Sequence, residues 1–137
     1  MKTWIAMYAL VWIAFVQILF IVASPLSAAE NGALHIPLGI AIFVLAVYIS
    51  VKVKATGCPA RVKRTTVATR NMALVQGVLG LALAYAVMSS VPSLYQDIIA
   101  FLHLAVALTI LSQVSSTATG YDMWEEKEIG TAPLVAA

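Results

Sequence analysis

The chain has 137 residues, of which 62% are hydrophobic and 10% are charged, and its formal net charge is +2. Soluble domains are roughly 45–50% apolar and about 25% charged, and a chain this short cannot bury so much apolar surface in a core of its own. The composition therefore excludes an ordinary soluble protein and implies a bilayer as solvent, and the small net charge gives no reason to expect nucleic-acid binding.

Four apolar segments are each long enough to cross about 30 Å of hydrocarbon as a helix. They run from about Trp4 to Ala23, from about Leu34 to Val53, from about Asn71 to Met88 and from about Ile98 to Ser116. The polar connections between them are predicted at Ser24–Gly32, Lys54–Pro59 and Ser89–Gln96. The pattern predicts an all-α integral membrane protein, a four-transmembrane-helix bundle with up-down-up-down topology. Residues 1–120 would form the transmembrane domain, and residues 121–137 a cytoplasmic tail that is irregular or docked on a partner.

The basic residues predict which way the bundle faces. Six of the eight Lys and Arg residues lie from Lys52 to Arg70, and the other two are Lys2 and Lys127. With four spans, these three regions share one side of the membrane, whereas the other two connections contain no basic residue. The positive-inside rule therefore predicts a multi-pass protein of the plasma membrane with both termini in the cytoplasm. The cluster Arg61–Arg64 is also predicted to contact anionic lipid headgroups.

The two histidines, His35 and His103, are the candidate ligands. Both lie inside apolar segments, where an ionisable side chain is costly to bury and is functional by default. His35 lies about one turn into the second helix from the outer side, and His103 lies about 9 Å beyond Asp97 along the fourth helix. Because the second and fourth helices run in the same direction, we expect two imidazoles at similar depth to approach one object between them.

Heme suits this pair of donors better than zinc or copper does. A zinc or copper site normally adds Cys, Asp, Glu or further His ligands, whereas heme iron needs only two axial ligands. Cys58 is the only cysteine, which excludes the two-cysteine attachment of a c-type heme. The sequence therefore predicts a noncovalent heme with His35 and His103 as metal ligands, of the b type, with heme O or heme A as alternatives. In the alternative interpretation, each histidine has only a structural role as a hydrogen-bond donor.

Small residues lie close to both candidate ligands. Gly39 follows His35 by four residues and Ala107 follows His103 by four, so each lies one turn away on the same face and is predicted to leave space for a macrocycle. Gly77 and Gly80 in the third helix indicate either a wall of the heme pocket or close helix–helix packing. Three polar residues at membrane depth are predicted to form interhelical hydrogen bonds: Gln17, Gln76 and Gln113.

Together these motifs resemble those of the heme A synthases. The resemblance spans about Trp4 to Ser116 and is carried by His35-Ile-Pro-Leu-Gly39, Val75-Gln-Gly-Val-Leu-Gly80 and Phe101-Leu-His103. Members of that family have eight helices in two four-helix halves, each holding a heme between two histidines near the outer surface. The resemblance implies that this chain is similar to a single half, with His35 and His103 as the axial pair.

Two departures separate the chain from the catalytic half of that family. The catalytic half carries a glutamate two residues before the histidine of the second helix and commonly an arginine just after it, where this chain has Ala33 and Ile36. Many members have a cysteine pair in the first outer loop, and this chain has none there. Glu30 is a nearby carboxylate, expected to point into the loop. The resemblance therefore implies the half that holds a heme for structure or electron transfer.

Three functions remain open at this point. The preferred one is a small membrane cytochrome that uses a bis-histidine heme for electron transfer, as a homodimer or as a subunit of a respiratory membrane complex. The second is a half-size homodimeric heme A synthase that oxidises heme O to heme A. The third is a heme-free accessory subunit of a membrane complex. Membrane lipid is an expected partner in each case, and no catalytic residue is assigned.

Overall fold

The protein is seen here as a computed structural model, which describes residues 2–23 and 28–131, with the side chains of residues 2–21 and 32–128. These residues form four helices: α1 (Thr3–Ala23), α2 (Ala28–Lys54), α3 (Ala60–Met88) and α4 (Ser93–Thr131). Each contains a segment long and apolar enough to cross a membrane: Thr3–Ile21, Gly32–Lys54, Ala60–Met88 and Ser93–Glu128. The prediction of an all-helical chain with four membrane-length helices is confirmed.

Three helices, α2, α3 and α4, begin at least five residues earlier than the apolar pattern predicts. Helix α4 begins at Ser93 and not near Ile98, so the predicted loop Ser89–Gln96 is wrong for residues 93–96. Helix α3 begins at Ala60, directly after its N-cap residue Pro59, because the Lys and Arg residues that follow are good helix formers even though they are not apolar. Helix α2 begins at Ala28, so the predicted first loop is wrong for residues 28–32. The rest of that loop, residues 24–27, lies outside the described residues.

Helix α4 runs through residue 120 without a break. It continues to Thr131, so the prediction of an irregular segment after Gly120 is wrong for residues 121–131. Residues 132–137 lie outside the described part of the chain. Tyr121 is buried and its ring lies 5.4 Å from that of Trp124. The hydroxyl of Tyr8 in α1 donates a hydrogen bond to Asp122 at 3.2 Å. The part of α4 around Asp122 is thus docked on α1 of the same chain.

The predicted break between the second and third helices is confirmed. Helix α2 ends at Lys54, and the turn that follows is closed by a hydrogen bond of 2.8 Å from the Thr56 hydroxyl to the backbone carbonyl of Val53. At the other connection, Ser90 has a φ of 53°. That left-handed conformation stops α3, and α4 begins at Ser93.

The helices form a closed ring in which each packs against two others. Helix α1 contacts α2 and α4, and helix α3 contacts the same two. Across the described residues, the backbones of α2 and α4 do not approach each other. Helices α2 and α4 therefore lie on a diagonal of the bundle.

Buried side chains are concentrated in one half of this ring, which we call the packed half. They come from residues 6–14, 46–73 and 110–121, and Met7, Leu10 and Val53 are almost wholly buried. The other half, residues 15–21, 32–45 and 74–105, carries both histidines, and we call it the histidine half. Among its described side chains, Ala86 alone is buried. The chain's own side chains thus fill the packed half and leave the histidine half loosely packed.

Candidate heme-binding site

The two histidines meet across the diagonal of the bundle. The ring centroids of His35 in α2 and His103 in α4 are 5.9 Å apart, with an angle of 50° between the ring planes. Both side chains are partly buried. Because the backbones of these two helices do not touch, only the imidazole side chains come close. This approach agrees with the prediction that both histidines lie at a similar depth.

Gln17 of α1 holds His35 in place. Its amide Nε2 lies 3.1 Å from His35 Nδ1 and 3.4 Å from His35 Nε2, and it donates a hydrogen bond of 3.2 Å to the backbone carbonyl of His35. A Cβ atom added at Gly39 would lie 3.5 Å from the same amide nitrogen, an ordinary contact distance, so Gly39 lies next to Gln17 but an alanine would also fit there. The predicted interhelical hydrogen bond of Gln17 is confirmed, and His35 is oriented by a neighbouring helix.

Gly80 of α3 lies against His103. A Cβ atom added at Gly80 would lie 3.2 Å from His103 Cε1, closer than side-chain carbons ordinarily come to one another. The backbone carbonyl of Gln76, one turn earlier, also faces this ring. The absence of a side chain at Gly80 therefore sets how close the His103 ring comes to α3.

Three buried side-chain polar atoms among the described residues have no hydrogen-bond partner, and all three lie in the histidine half. They are Gln17 Oε1, Gln76 Oε1 and His103 Nδ1. A buried polar atom without a partner costs about 1–3 kcal/mol, and buried polar groups in folded proteins are nearly always satisfied by protein, water or ligand. Their concentration beside the two imidazoles indicates a site that the protein atoms alone do not complete.

The structure shows no contact of the remaining small residues or of Gln113 with the two imidazole rings. Ala107 is partly buried one turn after His103, and Gly77 is exposed. A Cβ atom added at Gly77 would meet no atom within 4 Å, so the structure does not bring this residue against either histidine. Gln113 accepts a hydrogen bond of 3.3 Å from the Thr69 hydroxyl, as predicted for an interhelical pair, whereas the side-chain oxygen of Gln76 has no such partner.

The two positions that depart from the heme A synthase pattern lie on the exposed surface of α2. Ala33 is exposed, and Ile36 is 65% exposed. The side chain of Glu30 lies outside the described ones, although its backbone is part of α2. Neither Ala33 nor Ile36 therefore supplies a polar group to the space between the histidines.

Two histidines are the number of protein ligands that heme iron takes, and fewer than a zinc site made of protein ligands normally has. Among the described residues, no three His, Cys, Asp or Glu side chains come together, so a zinc or copper site of protein ligands is not formed. With metal–nitrogen bonds of about 2 Å, an iron atom between two imidazoles holds the ring centroids roughly 6 Å apart. The separation of 5.9 Å between His35 and His103 agrees with that spacing.

Comparisons of the chain with protein-family models, with curated proteins and with solved structures each gave no match.

Proposed function

We propose that the protein is a membrane cytochrome that holds one heme noncovalently between His35 and His103 and transfers electrons. The observation that carries this proposal is the approach of the two rings to 5.9 Å across the diagonal of the bundle. Histidines on facing helices of a four-helix bundle are a common way to hold heme. The three unpartnered polar atoms beside them support a ligand in that space.

In the proposed topology the helices run up-down-up-down, with both termini in the cytoplasm and the heme near the outer face of the plasma membrane. Two side-chain pairs support it. Gln17, late in α1, contacts His35, early in α2, whereas Tyr8, early in α1, bonds Asp122, late in α4. The positions of the Lys and Arg residues support the proposed orientation.

The chain's own residues would bind and orient the heme. His35 and His103 are the proposed axial ligands, Gln17 orients His35, and Gly80 sets the position of His103. When bound, the heme supplies an iron that accepts and releases one electron. Among the described side chains of the histidine half, Asp97 is the only charged one. These apolar surroundings would disfavour a net charge on a bound heme. With both histidines bound, the iron would have no open position for oxygen, and the site would suit electron transfer.

Two positions favour electron transfer over the oxidation of heme O. Oxidation of a porphyrin methyl group requires a group that manages protons, and the resembled family has a charged pair at the positions of Ala33 and Ile36. Both residues here are apolar and exposed. We therefore place the cytochrome ahead of the half-size heme A synthase, and we propose that it acts as a homodimer or as a subunit of a respiratory membrane complex.

Heme analysis of the purified protein tests the proposal. The chain is expressed in a bacterial membrane, purified in a mild detergent and analysed as the pyridine hemochrome, which reports both the presence and the type of heme. The expected result is b-type heme and a sharp α-band on reduction. A monodisperse, helical protein that holds no heme as isolated, and takes up none when hemin is added, would overturn the cytochrome and favour the heme-free accessory subunit.

A further inference from the structure

A groove of about 520 Å³ lies between the first turns of α3 and the later part of α4. Its position is in the packed half, away from the histidines, and its volume is within the range of about 300–1,000 Å³ found for small-molecule sites. One guanidinium and several hydroxyl side chains line it: Arg61, Thr65, Ser115, Ser116, Thr117 and Thr119. The groove is therefore polar at a place where two membrane-length helices meet.

Some of the polar groups in the groove are already paired, and others are available. The Thr65 hydroxyl donates to the backbone carbonyl of Arg61 at 2.9 Å, and the Thr119 hydroxyl donates to that of Ser115 at 3.1 Å. Within the described part of the chain, the side chains of Arg61, Ser115 and Ser116 make no hydrogen bond or ion pair. These three side chains can donate hydrogen bonds to a ligand.

Arg61 is the charged residue among the described side chains that line the groove, and no acidic side chain is among them. Lys63 and Arg64 follow Arg61 in the sequence, whereas Asp122 is next to the lining residue Met123 and forms a hydrogen bond with Tyr8. An arginine with nearby hydroxyl donors matches the several acceptor oxygens of a phosphate group. The groove therefore has the chemistry that recognises a phosphate.

We propose that this groove binds the phosphate headgroup of an anionic phospholipid. Basic pockets between membrane helices on the cytoplasmic side are suited to such headgroups. Met123, which lines the groove, is 56% exposed, and farther along α3 and α4 the apolar side chains of Leu74 and Leu108 are exposed, which gives acyl chains a surface to contact. A free phosphate would use the same donors but not that surface. The inference rests on the membrane placement in the proposed function and not on heme binding.

Lipid titration of the purified protein tests the site. The thermal unfolding midpoint in a nonionic detergent is followed while phosphatidylglycerol, phosphatidylcholine with the same acyl chains, or inorganic phosphate is added. Phosphatidylglycerol is expected to raise the midpoint in a saturable way, and the other two are not. Arg61→Gln and Ser116→Leu should each weaken the phosphatidylglycerol effect roughly tenfold, since one removes a charged donor and the other fills the groove.

Arg64→Gln is the matched control, because it removes the same charge from the same helix and Arg64 does not line the groove. Equal weakening by Arg61→Gln and Arg64→Gln would overturn the site in favour of diffuse attraction to a basic surface. A full effect of inorganic phosphate would overturn the lipid headgroup as ligand, and so would no effect of phosphatidylglycerol on the unaltered protein. Heme spectra of the same samples separate the two proposals: an Arg61-dependent lipid effect in a heme-free protein supports the lipid site and overturns only the cytochrome.

Discussion

His35 and His103 lie 5.9 Å apart between ring centroids although their helices are not neighbours in the bundle. Each of the two helices between them contacts one of the two imidazole rings. Helix α1 supplies Gln17, which contacts His35, and helix α3 supplies Gly80, against which His103 lies. All four helices therefore contribute to the geometry of one pair of imidazoles.

Replacing either histidine is expected to remove the heme. His35→Ala and His103→Ala each delete one axial ligand, so neither variant should show the α-band on reduction. Phe101→Leu is the matched control, because Phe101 lies two residues before His103 and is 70% exposed. An unchanged spectrum in both histidine variants would contradict the ligand assignment.

Adding one methyl group at Gly80 is expected to disturb the heme without weakening the fold. In Gly80→Ala, the new Cβ would lie 3.2 Å from His103 Cε1, so the ring must shift, whereas alanine favours a helix over glycine by about 1 kcal/mol. The reduced spectrum should shift or broaden while the unfolding midpoint does not fall. Gly77→Ala, whose Cβ would meet no atom within 4 Å, should leave the spectrum unchanged. The same spectrum in both variants would argue against contact between Gly80 and a ligand histidine.

Loss of the Gln17 amide is expected to loosen the heme. Gln17→Leu removes the hydrogen bonds to the His35 ring and carbonyl, and loss of such a supporting contact typically lowers metal affinity about 10–100-fold. The measurement is the rate of heme transfer to an apo-acceptor protein. Gln113→Leu provides the contrast, because its partner Thr69 lies in the packed half. That change should lower the free energy of unfolding by about 1 kcal/mol and leave the spectrum unchanged.

The orientation in the membrane can be measured with introduced cysteines. Cys58 is only 3% exposed, so labelling of the natural cysteine is uninformative, and it is replaced by serine. Leu94→Cys, at a position 65% exposed, should react with an impermeant maleimide in intact cells. Lys54→Cys, also at an exposed position, should react only after permeabilisation. The reverse pattern would place the termini outside.

The protein is not expected to complete heme A synthesis. Ala33 and Ile36 offer no group that handles protons on α2, and the chemistry requires one. The experiment is co-expression with a heme O synthase in a host that makes no heme A. If heme A accumulates, and does so only when His35 and His103 are present, the half-size enzyme becomes the better assignment.

The helices and the depth of the histidines were predictable because both depend on position along the chain. Continuous apolar runs indicate membrane-length helices, and the distance of a residue from a helix end follows from the rise per residue. The early start of α3 and the late end of α4 were not predicted, because hydropathy excludes charged residues such as Arg61 and Glu125 that are good helix formers.

The rotation of each helix was not predictable from the sequence. Helices that are apolar all round show no polar face to indicate which side is inward, so Gly77 and Gly80 were equally plausible neighbours of a histidine. The structure brings Gly80 and not Gly77 against His103. The role of Gln17 was missed in part for the same reason: its depth indicated an interhelical hydrogen bond, but nothing in the sequence singles out His35 as the partner.

The tight packing around Met7, Leu10 and Val53 bears on the order in which the molecule assembles. These side chains are buried by protein atoms alone, and the bond between Tyr8 and Asp122 ties the first helix to the last at that end. This packing involves side chains of the chain itself, so we expect the packed half of the proposed cytochrome to form without heme. Binding of heme would then complete only the histidine half.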